Sequence, residues 1–173
     1  EYFLDKDREH YHLLAYLSTK FDNELIIDLG THRGTSALAL SYNKTNKVIT
    51  YDVREFRGGI VHNINDIPEN IEWKIKNIMD DDAFSDRENL LKSKLIFLDT
   101  AHEGDFEYDV YKYLKNGSYK GILVLDDIHF NGKMKDFWEK IDTTKYDVTH
   151  LGHSIESSGT GLVDFSGEVE EIE

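Results

Sequence analysis

The chain has 173 residues, 39% of them hydrophobic and 12% aromatic, with a net charge of −14 and no cysteine. That size suits a single domain burying about 70% of the surface its unfolded chain exposes, and the composition excludes wholesale disorder. The acidity disfavours a nucleic-acid partner, and the lack of thiols excludes disulfides, thiolate nucleophiles and thiolate metal sites, leaving oxygen and imidazole as the only metal donors.

The pattern from Asp5 to Phe21 places Tyr11, Leu13, Leu14 and Leu17 on one helical face. Leu25 to Leu29 reads as a strand buried on both faces, followed by a glycine loop and a helix from Ser36 to Tyr42. A second strand runs from Lys47 to Tyr51 and stops at Asp52; a third, alternating, runs from Glu72 to Ile78 into Asp80-Asp81-Asp82. A helix around Arg87 to Lys92 leads to a fourth strand, Leu95 to Leu98. Tyr108 to Leu114 is helical, closed by Asn116-Gly117, where glycine accepts a left-handed cap. Gly121 to Leu125 is the fifth buried strand, Met134 to Ile141 the next helix, and Tyr146 to Leu151 and Gly161 to Phe165 two last strands joined by a Ser/Gly-rich loop. The Glu168 to Glu173 tail is expected to fray. Strands alternating with helices predict an α/β domain over 1–173, with a doubly wound, mostly parallel sheet and a C-terminal antiparallel hairpin.

No apolar run approaches the roughly 20 residues of a membrane span. No charged-then-apolar leader precedes the first helix, so a cytoplasmic location is expected. The chain opens on Glu1 rather than methionine, which reads either as one domain of a longer chain or as a trimmed form.

Ligands of open α/β sheets bind at the carboxyl ends of strands, and two of these ends carry chemistry. Asp28-x-Gly30-x-x-x-Gly34 joins a buried strand to a helix, where glycines admit a ligand to the backbone and free helix amides face an anion. It matches neither the dinucleotide fingerprint nor the phosphate loop, and a tight turn without a ligand is the plain alternative. Asp52, 24 residues after Asp28, stands where nucleoside-binding folds place a ribose-binding acid; an exposed strand-end aspartate is its alternative. Asp99, Asp126 and Asp127 close neighbouring strands, and three close carboxylates repel unless a hard cation such as Mg²⁺ sits among them. His102, three residues past Asp99, could accept a proton near neutral pH; otherwise it is a polar loop residue. Nothing in their spacing favours His129 or His153, and His10 and His12 read as surface residues.

Together the segments Asp28-Leu-Gly-Thr-His-Arg-Gly-Thr-Ser36, Tyr51-Asp52-Val53, Asp99-Thr-Ala-His102 and Leu125-Asp126-Asp127 resemble the class I S-adenosylmethionine-dependent methyltransferases. Within that class the chain looks most like the metal-dependent sugar O-methyltransferases of the macrocin and mycinamicin type, since catechol-type relatives carry Asp-Asn where this chain has Asp126-Asp127. The resemblance covers essentially the whole chain and implies a seven-stranded Rossmann-like sheet. It implies that Gly30, Thr31, Gly34 and Ser36 hold the methionine end of the cofactor, with Asp52 and Val53 at its ribose and Ile78 bordering the adenine. Asp99 would face the cofactor and, with Asp126 and Asp127, bind Mg²⁺ or Mn²⁺, with His102 as the base. The implied acceptor is a sugar or glycan with vicinal hydroxyls, and other domains of a longer glycan-building enzyme are the implied protein partners.

Overall fold

The computed structural model describes residues 9–55, 67–151 and 158–169. The elements run α1 (Glu9–Ser18), β1 (Leu25–Leu29), α2 (Thr35–Leu40), β2 (Lys47–Asp52), β3 (Ile71–Ile75), α3 (Phe84–Lys92), β4 (Leu95–Leu98), α4 (Asp105–Asn116), β5 (Ile122–Asp126), α5 (Gly132–Lys140), β6 (Lys145–Asp147) and β7 (Thr160–Asp164). One mixed sheet has the order β3-β2-β1-β4-β5-β7-β6. The first five strands in that order are parallel, and β7 pairs antiparallel with both β5 and β6. The expected architecture is present, and strand order reverses between β1 and β4, where a crevice opens at the carboxyl ends.

Alternation along the central strands explains both faces of the sheet. Ile26, Val48, Leu95, Phe97 and Val124 pack with Leu14 and Leu17 of α1 and Ala37, Ala39 and Leu40 of α2. Ile27, Leu29, Ile96, Leu98, Leu123 and Leu125 pack with Leu90 of α3, Val110, Tyr111 and Leu114 of α4, and Met134 and Phe137 of α5. Strands covered on both sides need no polar alternation, so their sequences are continuous apolar runs. Each fully buried side chain of this kind contributes about 1.5–3 kcal/mol.

Several boundaries differ from the expected ones for local reasons. The expected β3 ends early because the Asn77 side chain accepts from the Met79 amide (3.0 Å) and turns the chain. The expected strand to Leu151 stops at Asp147, whose Oδ1 accepts from both the amide and the hydroxyl of Thr149, starting a 3₁₀ turn at Thr149–Leu151. Gly117 does not supply a left-handed cap: its φ is −80°, and the left-handed residue is Ser118. A Cβ at 117 would meet Leu91 Cδ2 at 2.5 Å, so a larger residue there would displace the Leu91 side chain. Of the expected first helix, residues 5–8 lie outside the described residues, as do 170–173 of the tail, His153 and most of its loop. Among the described residues, no helix is long and apolar enough to cross a membrane.

Candidate active site

The β1 strand end is built on a buried carboxyl. Asp28 is fully buried on the α2 face, and its Oδ2 accepts from Thr50 Oγ1 (2.6 Å) and Ser36 Oγ (3.1 Å). Burial pushes its pKa up to about 7; the two hydroxyl bonds pull the other way, and Asp99 and Asp52 add to the rise. Its Oδ1 is buried without a hydrogen-bond partner. The loop that follows is tied to β2: the amides of Gly30 and Thr31 donate to the Tyr51 carbonyl, and the Thr31 hydroxyl bonds that of Thr50. Gly30 has φ +102°, and a Cβ there would lie 1.6 Å from the Asp99 carbonyl oxygen. Only glycine lets the β1 loop press against the end of β4.

Beside this loop lies a cavity of about 470 Å³, lined by Gly30, Asp52, Val53 and Ile78 together with Asp99 and His102. Tyr51 and Phe106 also line it. Asp52 stands ready at the edge: its Oδ2 accepts from the His32 amide (2.8 Å) and its Oδ1 from the Arg54 amide (3.2 Å). Of its apolar lining residues, Ile78 is buried while Val53 is 69% exposed. Gly34 and Ser36 do not line this cavity; both are buried, and the Ser36 hydroxyl is committed to Asp28. Thr31 borders a second, shallower cleft next to Arg33 and Trp73.

The β4 and β5 ends bring charges together. His102 Nε2 lies 3.1 Å from Asp99 Oδ1 and 2.7 Å from Asp127 Oδ2, and one donor atom from each of the three lies within 4.8 Å of the others. The hydrogen bond to Asp127, then that to Asp99, push the His102 pKa up to about 10 against the opposing effect of burial. Burial raises the Asp127 carboxyl, yet the His102 bond and charge bring it below its ordinary value. Asp126 is not part of this three-residue group. Adjacent residues at a strand end point to opposite sides, and Asp126 Oδ2 instead lies 3.8 Å from His10 Nε2. Burial first, then the charges of Asp99 and Asp127, hold the Asp126 carboxyl well above its ordinary pKa.

Left-handed backbone marks the site. Five described non-glycine residues have positive φ, and three of them, His32, His102 and Asp127, belong to the cavity wall or the charged group. Such conformations persist only where the surroundings over-determine them. His10 departs from the surface position expected of it: its ring stacks 6.1 Å from that of Phe97 beside Asp126, whereas His12 is exposed. His129 lies apart from the group, paired with Asp147 at 2.7 Å. Sequence reasoning did not single out Phe106, in the first turn of α4, or the loop residue Phe130, whose ring centroid lies 5.5 Å from that of His102.

No protein-family model matches the sequence, and neither does any curated protein. Solved structures do match in fold. The O-methyltransferase TomG of Streptomyces achromogenes, involved in tomaymycin synthesis and solved with S-adenosylmethionine, superposes with TM-score 0.70 at 17% identity, covering 93% of this chain and 81% of its own. A S-adenosylmethionine-dependent O-methyltransferase of Thermotoga maritima gives 0.64 at 14%, covering 94% and 67%. The chain has the methyltransferase fold. A precorrin-6y C5,15-methyltransferase of Geobacter metallireducens also matches, with TM-score 0.61 at 12% identity over 92% of this chain and 88% of its own. That neighbour bears a different reaction name, so the acceptor must be argued from the site.

Proposed function

We propose that this protein is a S-adenosylmethionine-dependent O-methyltransferase that acts, with Mg²⁺ or Mn²⁺, on a hydroxyl of a sugar or glycan. One observation carries the reading: a single cavity joins Gly30, Asp52 and Ile78 to Asp99 and His102. Its apolar residues Val53 and Ile78 beside the Asp52 carboxylate suit a nucleoside, and the glycine that a Cβ would drive into Asp99 suits close approach of a ligand to the backbone. Asp99 and His102 of its lining, with Asp127 next to them, offer two carboxylates and an imidazole, a donor set that fits a hard divalent cation.

The residues divide the task. Asp52 would accept from the ribose hydroxyls, Val53 and Ile78 would border the nucleoside, and Gly30 and Thr31 would hold the methionine end. Gly34 and Ser36 act from behind by shaping that loop and bonding Asp28. Asp99 and Asp127 would hold the cation, with Asp126 behind them, its carboxyl kept well above its ordinary pKa by burial and by their charges. When bound, the cofactor supplies an electrophilic methyl group and the cation lowers the pKa of the acceptor hydroxyl. His102 Nε2 takes the hydroxyl proton, which requires that its two carboxylate partners be satisfied by another positive charge. Holding donor and acceptor in one cavity supplies much of the rate gain.

A second reading has its own support. With both carboxylates on His102, an imidazolium between the anions offsets one of their two negative charges without a cation, which would suit a methyltransferase that needs no metal and acts on a phenol or carboxylate. Transfer from isotope-labelled S-adenosylmethionine to a panel of mono- and oligosaccharides, with Mg²⁺ or with excess chelator, separates the two. The account expects labelled sugar only with the cation. Labelling of phenols alone, undiminished by chelator, would overturn the sugar and metal parts together, and cofactor binding without turnover on any acceptor would mark a non-catalytic cofactor-binding domain.

A further inference from the structure

Glu107 lies in the first turn of α4 and is almost fully buried, 1% exposed, although neither its charge nor its place in the helix requires that. Its three bonds run to the loop that carries His102. Oε1 accepts from the Thr100 hydroxyl at 2.7 Å and from the His102 amide at 3.0 Å, and Oε2 accepts from the Gly104 amide at 2.8 Å. The Gly104 bond is half of a capping box, whose other half glycine cannot make. The other two serve the loop alone. On the opposite side, Asn131 caps α5 by accepting from the Met134 amide (3.0 Å), while its Nδ2 donates to the His102 carbonyl (2.9 Å). The amide and the carbonyl of His102 are thus gripped by side chains from two different helices. Between them the residue sits at φ +56°, a conformation that an L side chain seldom adopts and that needs external support.

We propose that Glu107 and Asn131 are positioning residues that clamp the His102 backbone in its left-handed conformation and so aim the imidazole between Asp99 and Asp127. The catalytic consequence rests on the reading of His102 as proton acceptor; the clamp itself does not. Each residue also closes a helix, and Asn131 allows the two roles to be separated. Asn131→Asp keeps an oxygen for the Met134 amide, and aspartate caps helices as well as asparagine does. It removes the donor to the His102 carbonyl and sets a carboxylate against it. Glu107→Gln keeps one acceptor oxygen, and its amide N–H group then faces either the Gly104 N–H or the Thr100 hydroxyl and His102 N–H, so at least one of the three bonds is lost.

The test is the His102 side-chain signal in the full-length protein labelled with ¹⁵N-histidine, at neutral pH, without metal and with S-adenosylhomocysteine as the probe of the cofactor end. The wild type is expected to show a downfield, slowly exchanging Nε2 proton that disappears in His102→Ala. Asn131→Asp should lose that signal with its thermal midpoint nearly unchanged, and Glu107→Gln should shift or lose it. S-adenosylhomocysteine affinity should stay unchanged in both. If Glu107→Gln fails to fold, Asn131→Asp alone decides. Retention of the signal at its wild-type position in Asn131→Asp would overturn the proposal, as would absence of any such signal in the wild type. Loss of the signal in a protein that never binds S-adenosylhomocysteine would uphold the clamp and overturn the methyltransferase reading.

Discussion

Asp28 and His102 stand at the ends of neighbouring strands, both with pKa values raised far above the ordinary, yet for opposite physical reasons. Asp28 is lifted to about 7 because it has lost water, and hydroxyls replace only part of what it lost. His102 is lifted to about 10 because it has gained two anions while remaining half-buried. The first is a packing device: it joins β1, β2 and α2 through Thr50 and Ser36 and shapes the loop from behind. The second is open to the cavity and can exchange its partners. Removing a group therefore changes stability at the β1 end and chemistry at the β4 end.

The largest expected effect is at the β4 end. His102→Ala should lower the methyl-transfer rate about 10²–10⁴-fold, the usual contribution of a general base, with S-adenosylhomocysteine affinity nearly unchanged by calorimetry. His129→Ala, which removes a histidine paired with Asp147 away from the group, should keep most of the rate. The reverse pattern would assign the base to the wrong histidine. At the β1 end, Gly30→Ala forces a Cβ against the Asp99 carbonyl at positive φ, where neither backbone can yield cheaply. A loss of about 3 kcal/mol or more is expected in denaturant unfolding; a wild-type midpoint would mean that the loop is looser than described.

Smaller effects sharpen the electrostatic half of the comparison. The folded Asp28 carboxyl keeps its proton to about pH 7, while the unfolded one releases it near 3.8. The stability it contributes is full below the lower value and is lost as pH rises through the upper one. Relative to Asp28→Asn, the wild type should therefore lose stability between about pH 4 and 7 and keep a constant difference above. Equal slopes in the two proteins would contradict burial as the cause. His102 follows the same sign at higher pH: its contribution is full below 6.5 and is lost as pH rises through about 10. The metal-free His102→Ala variant should lack that decline, by a smaller amount because the pair is half-exposed and screened.

The strands were legible in the sequence because burial on both faces leaves apolar runs such as Leu95–Leu98 and residues 122–125, and Leu25–Leu29 keeps that character although the buried Asp28 interrupts it. The convergence of Asp99 and Asp127 followed from the adjacency of β4 and β5. Which of the two consecutive aspartates joins His102 did not, because that depends on Asp127 turning into the left-handed region at φ +60°. Gly34 and Ser36 read as lining residues, although the short α2 helix turns them inward beneath the loop. Glu107 carried no signal at all. It resembles any acidic residue in the first turn of a helix, and its role exists only once α4 is seated under the Thr100–Gly104 loop.

Asp52 offers the most direct test that the cavity is a cofactor site, because its carboxylate already faces the cavity from loop amides and its removal disturbs no packing of the core. Calorimetric titration with S-adenosylhomocysteine should show binding to the wild type and a loss of about 1–3 kcal/mol in Asp52→Ala, the range for hydrogen bonds to a charged group. NAD should bind poorly to both. No detectable heat with the wild type at millimolar S-adenosylhomocysteine, or an Asp52→Ala variant that binds as tightly as the wild type, would contradict the account.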